Sequence, residues 1–411
     1  MTTNPNTQSN ESAGSLYVAI ELSTSDWKLA MTDQIGRRPR IRTFDAGDPA
    51  KLQKEFVAAK AAMGLDPDAT VVTCYEAGRD GFWIHRCLVS MGAESHIVEP
   101  ASIQVNRRKR QAKTDRIDAQ WIVNALIRFK SGDGYACRMI RVPDREIEDA
   151  RHLNREMKTI KGERTSHINR IRGLLATQGI AGVTIDRNFP RWVHQVVTGD
   201  RKPLGRQLRE RLLREFARLQ LATEQIRALQ MQQVELIRQA RRTVARSNGP
   251  LAAMENASDR ISHIAEHLSL LAGIGTVTAS TLAAEVFSWR EIRNRKQLAA
   301  LVGLVPTPHS SGEEEKELGI SKSGRGELRV LMIEIAWLWL RYQPGSELSR
   351  WYHHRFADGT SRNRKIGIVA LARKLLVALG KYIRTGEIPA KARLTNNLSL
   401  NYLPSLVPTP A

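Results

Sequence analysis

Two carboxylates, Asp115 and Asp118, stand three residues apart in the stretch RRKRQAKTDRIDAQWIVNAL, where a run of Arg and Lys gives way to an apolar-periodic segment. On a helix, positions i and i+3 share a face, so both acids point the same way. Like charges held that close repel, and a cation between them is what makes the arrangement tolerable. The basic run Arg107, Arg108, Lys109, Arg110 and Lys113 just upstream is suited to phosphates. Together they read as metal-dependent chemistry on nucleic acid. The plainer alternative is a helix N-terminus carrying its favoured Asp residues.

What could bring further acids to this pair? LYVAIEL is a strand-like run that carries Glu21, and TVVTCYEAG is a buried-type strand that ends in Glu76. Around them the pattern predicts strands at WKLAM and RIRTF, a helix over 49–63, another over 82–91 and a strand at SHIVE. The order β-β-β-α-β-α-β-α is that of an α/β ribonuclease-H-like domain, here over residues 15–135, whose first and fourth strands are neighbours. Glu21, Glu76, Asp115 and Asp118 are then expected to converge. Such a cluster supports two divalent cations ~3.5–4 Å apart bridging a phosphate. All-oxygen ligation points to Mg²⁺.

Composition agrees with a polyanionic partner. The 411 residues hold 63 Lys plus Arg against 42 Asp plus Glu, a formal net charge of +21, and the excess runs along the whole chain. No apolar run approaches the ~18 residues of a spanning helix, so a membrane partner is not expected. Cys74, Cys87 and Cys137 form no CxxC pair, which suits a reducing compartment and core packing. Residues 1–14 are polar and read as a disordered leader without a signal peptide.

From 140 to 262 the chain is long, charged and helical. Leu212, Phe216, Leu219, Ala222, Ile226 and Leu229 make a three/four-spaced seam for a partner helix. A coiled coil between protomers and an intramolecular hairpin both satisfy it. Residues 263–385 read as a mainly α C-terminal domain, and 386–411 as a tail, loose after Pro389. In LLAGIGTVTA, Gly273 and Gly275 between helices suggest a helix-hairpin-helix that offers backbone N–H groups to a phosphate, or an ordinary packing corner. A polar loop, Pro306 to Gly326, follows with Ser310, Ser311, Lys322 and Arg325; these cations and Arg329 could neutralise a phosphate nearby. The pair His263/His267 lacks the glutamate of HExxH, and reads as structural rather than metal-binding.

AIEL, YEAGRDGFWIHR, KTDRIDAQ, LLAGIGTVTA and GLVPTPHSSG…GISKSGRGELR occur in this order. Over roughly residues 16–385 the chain resembles the DEDD-type transposases of bacterial insertion sequences, specifically the insertion-sequence one-ten family. The resemblance implies a RuvC-like N-terminal domain, a coiled coil and a C-terminal transposase domain. It also implies Mg²⁺ held by Glu21, Glu76, Asp115 and Asp118, and Ser311, rather than Ser310, as the nucleophile of a covalent phosphoserine link to DNA. A structured guide RNA (the bridge RNA), a homo-oligomer and a cytoplasmic, nucleoid-associated bacterial setting follow from it as well. One departure stands out: members usually open the acidic set with Asp, whereas this chain has Glu21, with Asp26 a less suitable substitute. The extra methylene moves the ligand oxygens by about a bond length, and a ~1 Å misplacement costs on the order of 10²-fold in rate. A hydrolytic junction resolvase and a non-catalytic architectural protein are the alternatives.

Overall fold

The computed structural model describes residues 14–78, 81–99, 102, 115–244, 257–311 and 314–395; the side chains at 115–119, 240–244, 257, 308–311 and 314–318 lie outside the description. The basic run 107–110 with Lys113 lies outside it too, as do residues 1–13. The chain divides into two units at Val142/Pro143.

The first unit is built on a five-stranded sheet, β1 (Leu16–Leu22), β2 (Asp26–Thr32), β3 (Arg40–Asp45), β4 (Val71–Glu76) and β5 (Glu94–Val98), in the order β3-β2-β1-β4-β5. The first three strands are antiparallel, while β4 and β5 run parallel to β1. Alternation along β1 separates two cores. Leu16, Val18 and Ile20 face one way, packing with α1 (Pro49–Met63) and α2 (Trp83–Ser90). Tyr17 and Ala19 face the other way, toward α3 (Asp115–Lys130), whose Ile122, Val123 and Leu126 complete that layer. A strand buried on both faces reads as a continuous apolar run, and LYVAI is one. Asp48 caps α1 by accepting from the Lys51 N–H at 3.0 Å, and Gly64 ends it at φ 70°. The ribonuclease-H-like order expected from the sequence is the observed one. The unit also takes in residues beyond 135, since Met139 bridges Val98 and Ile140 packs on the core.

The second unit is mainly helical. After α4 (Arg145–Ala150), the long helices α5 (His152–Ala176) and α7 (Arg206–Val244) pack together, joined through α6 (Phe189–Gln195). The seam expected on α7 is filled from within the chain: Leu212, Phe216 and Leu219 bury against Ile171 and Leu175, and Ala222 and Ile226 against Ile160. A second core gathers α8 (Ala257–Ser269), α9 (Thr276–Leu282), α10 (Arg295–Leu301), α11 (Gly326–Tyr342), α12 (Glu347–Phe356) and α13 (Ser361–Thr385) around Trp339 and Tyr382.

Two expectations change here. The region 306–320, read as a polar loop, forms an antiparallel hairpin of β6 (Pro306–Ser311) and β7 (Glu314–Ile320). Two prolines and a glutamate run hide it, because β-propensity is low at each position. The tail, expected to be loose after Pro389, is tied down through Thr395. Gln343 donates to the Arg393 carbonyl at 2.7 Å and accepts from its N–H at 2.7 Å, and Leu394 bridges Leu271.

Candidate active site

Ile20 and Tyr75 are register partners on the parallel pair β1/β4. The next residues along each strand are Glu21, half-buried, and Glu76, exposed. Alternation puts both on the sheet face that carries Ala19 and Cys74, the face covered by α3. Lys28 is the register partner of Glu21 on β2.

The direction of α3 decides whether its first turn reaches these acids. Near its C-terminal end Lys130 binds the Glu94 carboxylate at 2.7 and 2.8 Å, level with Val72 at the start of β4. In its middle, the Cys74 thiol donates to the Ile122 carbonyl at 3.9 Å. The helix therefore runs antiparallel to β4. From Ile122 back to Asp118 is about 6 Å of helix, and from Cys74 on to Glu76 is about 7 Å of strand. The backbone of the Asp115–Asp118 turn thus lies at the same end of the sheet as Glu21 and Glu76. Asp26, at the start of β2, pairs with Asp45 in register, and Ser25 donates to its carboxylate at 2.9 Å. Carboxylates on adjacent strand ends form an oxygen-only donor set, which fits a hard divalent cation. Burial and two sulfur-to-carbonyl contacts, Cys74 with Ile122 and Cys137 with Ala125 (3.8 Å), make these cysteines packing residues against α3.

In the second unit Ser311 is the last residue of β6, its Cα opposite Glu314 across the hairpin, with Ser310 opposite Glu315. The foot of the hairpin is pinned by backbone. The Ser321 N–H donates to the Val305 carbonyl at 2.8 Å and the Arg325 N–H to Leu301 at 2.9 Å. A side chain at Gly303 (φ 68°) would run into the Ser323 carbonyl, and one at Gly324 (φ 104°) would meet the Ala300 carbonyl at 2.6 Å.

The cations expected to meet phosphate separate into two kinds. Arg329 donates to the Lys322 carbonyl at 3.0 Å, and Arg325 pairs with Glu285. Both hold the hairpin's foot. Lys322 is exposed, at φ 54°. Sequence reasoning missed Glu285, which is 4% exposed, ion-paired to buried Arg151 at 2.8 Å and lies on a π-helical turn, Ala283–Phe287. Burial alone would raise its carboxyl; Arg151 and Arg325 override that and hold it below the usual range. The available signal was a lone acid in the apolar run LAAEV.

Gly273 (φ 94°) turns the chain between α8 and α9, and a side chain there would meet the Leu338 carbonyl and Tyr342 of α11 at 3.3 Å. Gly275 is the N-cap of α9. Glycine at 273 is therefore required by close packing on the protein's own helix. His263 and His267 are buried with rings 4.3 Å apart, and His267 hydrogen-bonds the His263 carbonyl at 3.0 Å. Glu266 completes a cluster on that face of α8, at a spacing the HExxH pattern does not describe.

Among the described residues no helix is long and apolar enough to cross a membrane. Residues 13–178 match the DEDD transposase family model, and residues 265–352 match that of the transposase IS116/IS110/IS902 family. The chain is 39% identical over 380 residues to a putative transposase of Sinorhizobium fredii, covering 91% of this chain and 93% of that one. It is 27% identical over 258 residues to the transposase for insertion sequence element IS1111A of Coxiella burnetii, 63% of each chain. With a DEDD domain ahead of a second matched domain, and divalent-metal use and DNA binding implied by them, this chain belongs to the IS110 family of transposases.

Proposed function

We propose that this transposase cuts and rejoins DNA through a covalent phosphoserine intermediate on Ser311, with Glu21, Glu76, Asp115 and Asp118 holding two Mg²⁺ ions. The observation that carries the reading is the antiparallel run of α3 along β4, which brings the turn of Asp115 and Asp118 to the strand ends of Glu21 and Glu76. When bound, Mg²⁺ supplies positive charge that stabilises the phosphorane and makes a coordinated hydroxyl easier to deprotonate. The carboxylates hold and orient that charge, while Lys322 offers a cation beside the serine hairpin. The Ser311 oxygen attacks phosphorus and loses its proton. The bond from phosphorus to one deoxyribose oxygen breaks, and that oxygen takes up a proton. Because a phosphodiester replaces a phosphodiester, the reverse step joins a new strand without ATP, and the sequence holds no Walker-type GxxxxGK[ST] loop. A structured guide RNA choosing the sites, and a homo-oligomer pairing one protomer's acids with another's serine, belong to the same proposal.

The test is denaturing electrophoresis of the protein incubated with labelled element-end DNA, Mg²⁺ and the noncoding RNA flanking the element. Wild-type protein is expected to carry the label covalently, Ser310→Ala to keep it and Ser311→Ala to lose it along with cleavage. Cleavage that persists in Ser311→Ala assigns the chain to hydrolytic resolvases instead, and equal cleavage without RNA removes the guide.

A further inference from the structure

Beside the serine hairpin lies a groove of about 1050 Å³. One wall is the outward stripe of α13, which contributes Arg362, Lys365, Arg373, Lys374 and Lys381. Across from it stand Arg295 and Lys296 at the start of α10 and Lys322 after β7. The floor is the apolar part of the lining: Val369, Val377 and the half-exposed Ile366 alternate with the cations along the α13 stripe, and Leu304, Ile320 and Trp351 come from neighbouring elements. Lys374 lies 4.6 Å over the Trp351 ring. Among the described residues no acid lines the groove; Glu387, which ion-pairs with Lys381, stands outside the lining.

We infer that this groove holds an unpaired DNA strand, its phosphates along the two cationic rows and its bases against the apolar floor at Trp351. The inference rests on the reading of the neighbouring hairpin as the place where DNA is joined. A duplex would satisfy the cations but leave the floor wet, since its base faces are stacked inside. An unpaired strand brings both phosphates and exposed base faces, the combination that single-strand grooves recognise. Length agrees, because Arg362 to Lys381 spans about 28 Å of helix, room for several nucleotides. Among the described residues no lining side chain is an Asp, Glu, Asn, Gln, Ser or Thr. The lining side chains thus offer donors and apolar surface but no acceptor, so base amino groups and the donating 2′-hydroxyl proton find no side-chain partner there, and stacking with phosphate contacts dominates. Leu304, Pro306 and Ile320 belong to the foot of the hairpin whose β6 strand ends at Ser311, about 17 Å further along. A strand freed by cleavage at the tip is thus within reach of the groove.

The experiment is fluorescence anisotropy with full-length protein carrying Ser311→Ala, which uncouples binding from any reaction. The probes are a labelled oligo-dT of about a dozen nucleotides and a duplex of equal length. The added double substitution Lys365→Glu/Arg373→Glu is expected to weaken oligo-dT binding tenfold or more and duplex binding by a clearly smaller factor. It should also reduce the slope of log affinity against log salt by about 1.4. Trp351→Ala should weaken oligo-dT alone, and 5-iododeoxyuridine in the oligomer should photocrosslink to Trp351 when the ring is intact. Equal losses for strand and duplex would mean a general phosphate patch and overturn the inference. So would unchanged binding in the double variant, displacement by polyglutamate as efficient as by oligo-dT, or a marked preference for oligo-U. None of these outcomes depends on Ser311 being the nucleophile, so the two readings fail separately.

Discussion

Glu21 and Glu76 stand one residue beyond the same register pair, Ile20 and Tyr75, on adjacent parallel strands and on the face that α3 covers. Two carboxylates so placed repel, and the repulsion is relieved by a cation or by removing a charge. Glu21→Gln and Glu76→Gln are therefore expected to abolish strand cleavage, a loss of at least about 10²-fold. Adding Mg²⁺ should raise the melting temperature of the wild-type protein and not that of Glu21→Gln/Glu76→Gln, as binding of the ion by these acids in the folded state would require. A double variant stabilised by Mg²⁺ as much as wild type would remove the acids from the metal site.

Glu21 also tests how finely the strand is set. Shortening it to Asp withdraws the carboxylate by about one bond, and a displacement of ~1 Å costs on the order of 10²-fold in rate. Glu21→Asp should thus cleave far more slowly than wild type while retaining its response to Mg²⁺. Faster cleavage by the Asp variant would mean that this chain is an impaired copy in which Glu21 is the defect.

Glu285 is the buried anchor of the serine hairpin's foot. Arg151, 3% exposed, donates to it at 2.8 and 3.1 Å, stacks 5.0 Å from the Trp289 ring, and shares the carboxylate with Arg325. Glu285→Gln leaves Arg151 buried without its counter-charge, which costs on the order of 3–5 kcal/mol. Urea unfolding should show this loss in the second unit. The companion change Arg151→Met, made together with Glu285→Leu, should recover much of it, because an apolar pair carries no desolvation cost. A loss below about 1 kcal/mol in Glu285→Gln is what an exposed pair would give, and would mean that the network is hydrated.

How much of this was legible in the residues? The sheet was, because short continuous apolar runs such as LYVAI and VVTCY announce strands buried on both faces, and the order of elements fixes which are neighbours. The direction of α3 was not. It depends on Lys130 finding Glu94, thirty-six residues away, and on Cys74 meeting Ile122. The hairpin 306–320 was hidden by its own composition. The roles of Arg325 and Arg329 were hidden differently: a cation beside a serine looks the same in sequence whether it faces a phosphate or Glu285. Long-range pairing decides such cases, and local pattern carries no trace of it.

Gly324 shows the same point in backbone form. Its φ of 104° and the Ala300 carbonyl 2.6 Å from a built side chain leave no room for a methyl group. Gly324→Ala should cost more than the ~1 kcal/mol of an ordinary Gly-to-Ala misfit, because the loop that follows the hairpin must separate from α10. Hydrogen exchange should then accelerate at the amides of Ser321 and Arg325, whose bonds to Val305 and Leu301 close the foot. Unchanged protection there would show that the two glycines are not what pins it.

The histidines of α8 make stability depend on pH. Burial, with His267 alongside, lowers the pKa of His263 from 6.5 to about 4, and burial lowers that of His267 as well. The groups nearest them are each other's rings, the Glu266 carboxylate on the same helix face, and the Tyr382 hydroxyl of α13, which donates to the His267 carbonyl at 3.2 Å. Well above pH 6.5 both histidines are neutral whether the chain is folded or not, so they impose no slope. As the pH falls through that value the unfolded chain takes up protons that the folded chain refuses, and stability declines until His263 itself titrates near 4. For His263 the total loss is on the order of 3 kcal/mol, because a tenfold difference in proton affinity between folded and unfolded chains is worth ~1.36 kcal/mol. Urea unfolding at about pH 7.5, 6 and 5 should therefore show a decline that is shallower in His263→Phe and nearly flat in His263→Phe/His267→Phe. Acid-induced loss of equal steepness in the double variant would trace it to the carboxylates of the chain, whose protonation follows at lower pH.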